Sequence, residues 1–346
     1  MYRVFLLPAH IEFYNTLIYI YILEFSPSFY YFYFMQSENL THLFTFLKDN
    51  LNTRNLLGSD SSLANMFLLQ PKYNTEFFIH ENILFRYYRG KSNRSGWAFP
   101  IPLNKADENY LKTALCFIFS KERNENYQAN FCLISQEQKS QIDNCLLLHF
   151  SKHKINWKTL RDDSDYIYLQ KNLAELQGSN FQKKRNHISR FNRLHPDDWS
   201  ITFFDSNTIS GKLKNDILQV EEKWFLEKNG NDNSALILEK EAILQTFEHA
   251  KLFGLRGACL YIKEEPVAMT LASEISSNVL DIHYEKAIEK YEADGIFAII
   301  NNQFAKNSKE YLYLNREEDM GVAGLRKAKL SYKPDIILDK FYGKIE

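Results

Sequence analysis

Three strand-like segments in succession, at 257–262, 267–274 and 279–286, run into a helical segment at 295–305 and a further strand at 311–314, and this order occurs twice in the chain. In the front half, short strands at 76–79 and 83–88 flank the polar turn His80-Glu81-Asn82. A third strand at 97–101, stopped by prolines 100 and 102, precedes a helical segment at 109–121 and a strand at 131–134. A chain that repeats meander, helix and strand builds two mixed, mostly antiparallel sheets flanked by helices, so the expectation is an α/β protein with an internal duplication of architecture. Helices are expected at 40–51, at 62–69 (ended by Pro71), at 212–228 and at 239–252, with a strand at 199–204. The length of 346 residues suits two ordinary domains, and 45% hydrophobic with 25% charged residues is globular in character.

The formal net charge of −1 excludes bulk attraction to polyanions, so any phosphate contact must come from a local patch. Cys116, Cys132, Cys145 and Cys259 form no C-x-x-C pair and have no histidine at zinc-finger spacing, which reads as four reduced thiols, a cytoplasmic location and no metal site. Residues 1–34 contain apolar and aromatic stretches interrupted by Glu12, Asn15, Glu24 and Pro27, leaving no run of about 20 apolar residues to cross a bilayer. They read as an extension outside the core, with a membrane-surface anchor as the alternative. G-x-S-x-G, P-loop, G-x-G-x-x-G and H-E-x-x-H are all missing, which argues against nucleotide hydrolases, dehydrogenases and metallohydrolases.

Between 181 and 191 the chain packs Lys183, Lys184, Arg185, His187 and Arg190 among apolar residues at helical spacing. Phe181, Ile188, Phe191 and Leu194 fall on one arc, and Lys183, Asn186, Arg190 and Arg193 on the other. Lys184 breaks this division: four before Ile188 and seven before Phe191, it belongs to the apolar side. A lysine so aimed snorkels, meets a carboxylate, or lines an anion pocket. A second charged stretch, 313–334, holds Asn315, Arg316, Glu317, Glu318 and Asp319 ahead of Gly321 and Gly324, then Arg326 and Lys329 three apart on one helical face. The basic pair suits a phosphate or carboxylate, and the acids suit a substrate amine or an internal network with the 183–193 cations. From Val279 to Glu285 polar and apolar residues alternate strictly, which sets Asp281, His283 and Glu285 on one face of a strand. Asp294 suits a helix N-cap, and the free amides at Asp294-Gly295 suit an anion.

With Ser59-Asp60-Ser61-Ser62-Leu63-Ala64-Asn65, the two charged stretches resemble the bacterial family related to the C-terminal domain of phosphatidylglycerol lysyltransferases, from about residue 40 onward. The resemblance implies two GNAT-like (acyl-CoA N-acyltransferase-like) units in tandem, as in the Fem peptidoglycan aminoacyltransferases. Here that places a first unit at 35–178 and a second, carrying the site, at 179–346. It implies an acyltransferase that moves an aminoacyl or acyl group to an amine or hydroxyl by direct attack. Aminoacyl-tRNA or acyl-CoA would be the donor, tRNA a partner, and a small molecule, peptide or lipid the acceptor, without an integral membrane domain. In such a fold the strand 279–286 lies where the sheet splays, which makes His283 and Glu285, with Glu318, the candidate catalytic residues. Lys183, Lys184, Arg185, His187, Arg190, Asn315, Asp319, Arg326 and Lys329 are then candidate substrate or phosphate contacts. Acetyl-CoA users carry a Q/R-x-x-G-x-G/A loop where this chain has Tyr291-Glu292-Ala293-Asp294-Gly295-Ile296-Phe297, and the acids there favour a tRNA-borne acyl group. The alternatives are a non-catalytic module for RNA or an anionic ligand, and an acetyl-CoA-dependent N-acetyltransferase.

Overall fold

The computed structural model describes residues 37–53, 56–90, 95–104, 106–124 and 127–346, so the extension expected at 1–34 lies outside the described residues. The chain forms two compact units, neither contiguous in sequence. The first comprises residues up to Asn52, Gln70–Lys158 and Phe341–Glu346; the second comprises Thr53–Leu69 and Thr159–Lys340.

In chain order, α1 (Ser37–Asn50) belongs to the first unit and α2 (Leu63–Leu68) to the second. Ser62 caps α2 by accepting from the Asn65 amide. Pro71 does not simply stop this helix: it lies in the first turn of α3 (Gln70–Tyr73), where a missing N–H leaves no bond unmade. The first sheet then takes β1 (Thr75–His80), β2 (Ile83–Arg89), β3 (Ser95–Trp97), β4 (Ile101–Pro102), β5 (Phe131–Ile134) and β6 (Ile155–Thr159), with α4 (Tyr110–Asn124) and α5 (Gln136–His149) between strands. Its order is β1-β2-β3-β5, then the strand Phe341–Ile345, then β6, with β4 beside β2. Glu81 and Asn82 both have positive φ, the twist a tight two-residue hairpin needs. The strand expected at 97–101 is instead split in two, because Pro100 and Pro102 cannot donate to a ladder. Trp97, Phe78, Phe85, Tyr87, Phe117 and Tyr127 pack the core of this unit.

The second unit contains β7 (Asp165–Leu169), α6 (Gln170–Glu175), α7 (Gln182–Leu194), β8 (Trp199–Asp205), α8 (Gly211–Glu227), α9 (Ser234–Glu248), α10 (Ala250–Phe253), β9 (Arg256–Ile262), β10 (Glu265–Ser276), β11 (Val279–Ala287), α11 (Ile296–Lys306), β12 (Tyr313–Asn315), α12 (Ala323–Leu330) and β13 (Ile336–Leu338). Its sheet runs β13-β7-β12-β11-β10-β9-β8, antiparallel except for the parallel pair β11–β12. A strand entering parallel beside a meander, after a crossover helix, is the GNAT-like arrangement read from the sequence.

Two local features of this sheet position the site. β12 pairs with β11 only at Val279–Asp281, while β11 continues to Ala287, so the strands part after Asp281. Immediately beyond, Ile282 faces Ala272 and Tyr284 faces Leu271, which leaves His283 without a cross-strand partner. This β-bulge shifts the side-chain phase by one residue. Leu280 and Ile282 pack with Phe304 of α11, whereas Tyr284 packs with Leu213, Ile217 and Val220 of α8. The strict alternation expected over 279–285 therefore fails, and His283 and Glu285 do not share a face.

On α7, Phe191 is fully buried among Leu260, Ile262, Ile296 and Ile299, and its truncation to alanine would cost about 3–5 kcal/mol. Leu194, expected on the same buried arc, is exposed, because α7 ends there and the chain turns away.

Candidate functional site

Beyond the point where β11 leaves β12, Glu285 projects toward α11. Its Oε2 accepts from Asn301 Nδ2 at 3.2 Å, and its Oε1 accepts from Arg316 Nη2 at 2.8 Å. Arg316 follows β12 directly and lies over the Tyr332 ring, 5.0 Å from its centroid. Its second terminal nitrogen, Nη1, is buried without a hydrogen-bond partner. Lys184 reaches the same ring, with Nζ 3.6 Å from the centroid, and makes no hydrogen bond or ion pair among the described residues. Burial lowers the Lys184 pKa to about 8, Arg316 adds to the fall, and Glu285 opposes it. Burial likewise raises the Tyr332 and Tyr168 hydroxyls above the usual phenol range. Two cations thus face one aromatic ring with a single carboxylate between them.

On the opposite face, His283 is enclosed. Ser273 Oγ lies 2.7 Å from its Nε2, and Glu317 Oε1 and Asp281 Oδ2 lie 3.1 and 3.5 Å from its Nδ1. Asn65 Nδ2 donates to Glu317 Oε1 at 2.8 Å and to Asp281 Oδ2 at 3.2 Å. Burial, then the charges of Glu317 and Asp165, push the Asp281 carboxyl well above the usual range. The Ser62 hydroxyl eases that charge, yet Asp281 Oδ1 closes no hydrogen bond. Nearby, Asp165 accepts from the Ser59 amide (2.7 Å), the Asn315 amide (2.9 Å) and Lys340 (2.7 Å), and Lys340 also meets Asp60. The front motif 59–65 is therefore a buried brace holding β7, β11 and β12.

The remaining candidates divide between structural and open positions. Asn315 is spent on Asp165, the Leu57 carbonyl and the Glu317 amide. Asp319 accepts from Arg326 Nε (2.8 Å) and Nη2 (2.7 Å), from the Gly321 amide and from the Tyr166 hydroxyl. Burial works against its charge, but these hydrogen bonds win, and Asp319 sits below the carboxylate range. Arg326 also meets Asp162, so the expected anion contact is an internal pair. Lys329 Nζ donates to the carbonyls of Arg316, Glu317 and Glu318, fixing the loop that aims Arg316. Burial and then Glu317 raise Glu318. Lys183 and Arg190 are exposed, as is Arg185, which donates to the Leu176 and Gly178 carbonyls. No ion pair among the described residues joins 317–319 to the cations of α7, so the internal network weighed between the two charged stretches does not form.

Asp294 is not the cap of α11. That position is Gly295, at φ 105°, and the Asp294 carboxylate instead lies 3.0 Å from His195 Nε2. A Cβ on residue 295 would stand 2.6 Å from the His187 carbonyl, so α7 presses directly on the start of α11. Burial, then Lys184 and Lys183, lower the His187 pKa. Tyr332 is expected from its spacing with Leu325 and Ala328 only as part of an apolar helical stripe, not as the ring beneath two cations. Tyr168, Asn301 and Ser273 carry no spacing signal, and Asn65 lies within a motif already noted.

A splayed parallel strand pair, a bulge at its fork and a crossover helix opening beside it define an acyltransferase-type fold. The chain belongs to the phosphatidylglycerol lysyltransferase C-terminal family, whose model matches residues 52–343. A conserved protein of unknown function from Bacteroides thetaiotaomicron is similar in structure, with TM-score 0.77 and 27% identity, covering 91% of this chain and 99% of that one. The C-terminal domain of a protein named as a lysylphosphatidylglycerol synthetase from Agrobacterium fabrum gives TM-score 0.57 at 13% identity, covering 88% and 91%. An uncharacterised protein of Mycoplasmoides gallisepticum is 23% identical over 240 residues, 66% of this chain and 75% of that protein. No helix among the described residues is long and apolar enough to cross a membrane.

Proposed function

We propose that the chain transfers an acyl group, in the first instance an aminoacyl group carried by tRNA, to an amine or hydroxyl acceptor by direct attack at the fork of β11 and β12. The observation that carries this reading is the grouping of Lys184, Glu285, Arg316 and Tyr332 on one face just past the fork. Acyl transfer builds negative charge on the carbonyl oxygen, and fixed donors in a water-poor site stabilise it. Arg316 Nη1 and Lys184 Nζ are such donors, with the guanidinium orientation set by Glu285 through its other nitrogen. Glu285 is the group within this set that can accept a proton from the attacking amine. His283 has no part in this reading, because it lies on the other face.

Lys183, Arg190 and Arg193 form an exposed cationic face on α7, suited to several phosphates of one polyanion. The acids beside Gly295 argue less strongly against acetyl-CoA than their sequence positions suggest, since Asp294 meets His195 and Glu292 meets Lys228. The packing of α7 on Gly295 argues more strongly, because it crowds the helix terminus a pyrophosphate would use. The test is transfer of a radiolabelled aminoacyl group from tRNA to a pool of amine and hydroxyl acceptors, with Lys184→Met and Glu285→Gln as controls. Micromolar acetyl-CoA affinity by calorimetry, with no RNA binding at low salt, would overturn the donor assignment. The closed Glu285–Arg316 pair also favours a second reading, a non-catalytic binder of RNA or an anionic ligand; salt-sensitive RNA binding without transfer, unchanged by Glu285→Gln, is its signature.

A further inference from the structure

We propose that Asp281, His283 and Glu317 form a binding site for one divalent first-row cation of the zinc or manganese type, closed by Asn65. One ligand atom from each of the three lies within 4.8 Å of the others. His283 Nδ1 stands 3.1 Å from Glu317 Oε1 and 3.5 Å from Asp281 Oδ2. Atoms bound to one tetrahedral ion at about 2.0–2.1 Å stand about 3.3 Å from each other, so these separations match the edges of a coordination shell.

Three further observations point to a cation. The Asp281 side chain is wholly buried, and its Oδ1 has no hydrogen-bond partner. Glu317 and Asp281 are both carboxylates, and the lysines of this region are committed elsewhere: Lys340 to Asp60 and Asp165, Lys329 to three backbone carbonyls. A fully buried carboxylate beside a partly buried one needs compensating charge, and a divalent ion supplies it in the gap faced by Nδ1. The other imidazole nitrogen, Nε2, is already engaged by Ser273 Oγ at 2.7 Å, the outer contact that orients a metal-bound histidine. Asn65 presents Nδ2 to both carboxylates and to the Ser59 carbonyl, three acceptors for two hydrogens, and a half-turn of its amide would present Oδ1 as a fourth ligand at the loss of the Ser59 bond. One imidazole with hard oxygen donors suits zinc or manganese over softer ions. The ion would tie β11 and the 315–319 loop to the 59–65 segment, on the face opposite Glu285, and needs no part of the transfer chemistry.

The test uses the full chain, stripped with chelator and titrated with Zn2+ alone. About one ion per chain is expected, with Tm raised by at least about 5 °C at a hundredfold excess over Kd. Glu317→Gln should abolish binding. Ser273→Ala, which spares every ligand, should weaken it about 10- to 100-fold, and it keeps the test open should Glu317→Gln fail to fold. Absence of stoichiometric binding overturns the proposal in favour of an imidazole hydrogen-bonded between Ser273 and the two carboxylates with no ion. So does wild-type affinity in Ser273→Ala together with Glu317→Gln, or loss of binding in Cys116→Ser instead. None of these outcomes bears on aminoacyl transfer, which is measured separately.

Discussion

Replacing Lys184 with methionine should make the protein more stable and less active. In the folded chain the ammonium titrates near 8 instead of an ordinary 10.5. Taken at face value, at about 1.36 kcal/mol per unit, that gap is an electrostatic cost of about 3.4 kcal/mol at neutral pH. Lys184 is only partly buried, so solvent screening cuts the figure to about 1.5–2 kcal/mol. Attraction to the Tyr332 ring, about 0.5–1 kcal/mol, offsets part of it. Methionine keeps the apolar stem and removes the charge, which leaves a gain of about 1 kcal/mol, or a rise of about 2–4 °C in Tm. The sign with pH follows from the lowered value. Between about 8 and 10.5 the unfolded lysine is protonated while the folded one is not, so wild-type stability from this group rises across that window. The advantage of the variant should therefore be full at pH 7 and gone near pH 10.5, as read by denaturant unfolding of both proteins at matched pH. A methionine variant less stable than wild type at pH 7, or a stability difference that does not change with pH, would refute the reasoning. Full transfer activity in that variant would remove Lys184 from the proposed site.

Asp319→Asn should cost about 2–4 kcal/mol, because it strips the two-point partner from Arg326 and leaves one fully buried amide oxygen to serve both that guanidinium and the buried Tyr166 hydroxyl. Since the Asp319 pKa is lowered, its contribution holds above the ordinary carboxylate value of about 3.9 and fades only on acidification below it, so the variant should show a flatter acid limb in unfolding curves. Gly295→Ala should destabilise by more than about 1 kcal/mol, combining positive φ with a clash on the His187 carbonyl, while Gly324→Ala, in open space within α12, should stabilise by about 0.5–1 kcal/mol; equal thermal shifts in the two would contradict the packing of α7 on α11. Lys183→Ala and Arg190→Ala should leave stability within about 0.5 kcal/mol and reduce the salt dependence of RNA binding, checked by filter binding across a salt series.

Legibility from sequence followed the range of the interactions involved. The hairpin at His80–Ile83 and the helices at 212–228 and 295–305 are written in local signals, turn residues and apolar spacing, and the structure has elements within a few residues of each. Lys184 was legible for the same reason, as an exception within a regular helix. The bulge at His283 was not, because nothing within 279–285 marks it; it arises from pairing with β10, and it moved His283 away from Glu285. The roles of Asp319, Arg326, Lys329 and Asn315 were hidden by a related limit. Charge type predicts that a group needs a partner, but not whether the partner is a ligand or a residue 150 positions away, as for Asn315 and Asp165.

The strand Phe341–Ile345 sits between β5 and β6 of the first sheet, yet it follows the entire second unit in sequence. During synthesis the first sheet therefore waits with an unfilled row in its interior until 182 intervening residues, Thr159–Lys340, have been made. Two ladder edges, on β5 and β6, stay open for that whole interval, and open edges recruit other strands. Clipping these few residues would harm the part of the protein built first, while the part built just before them keeps every strand of its own sheet.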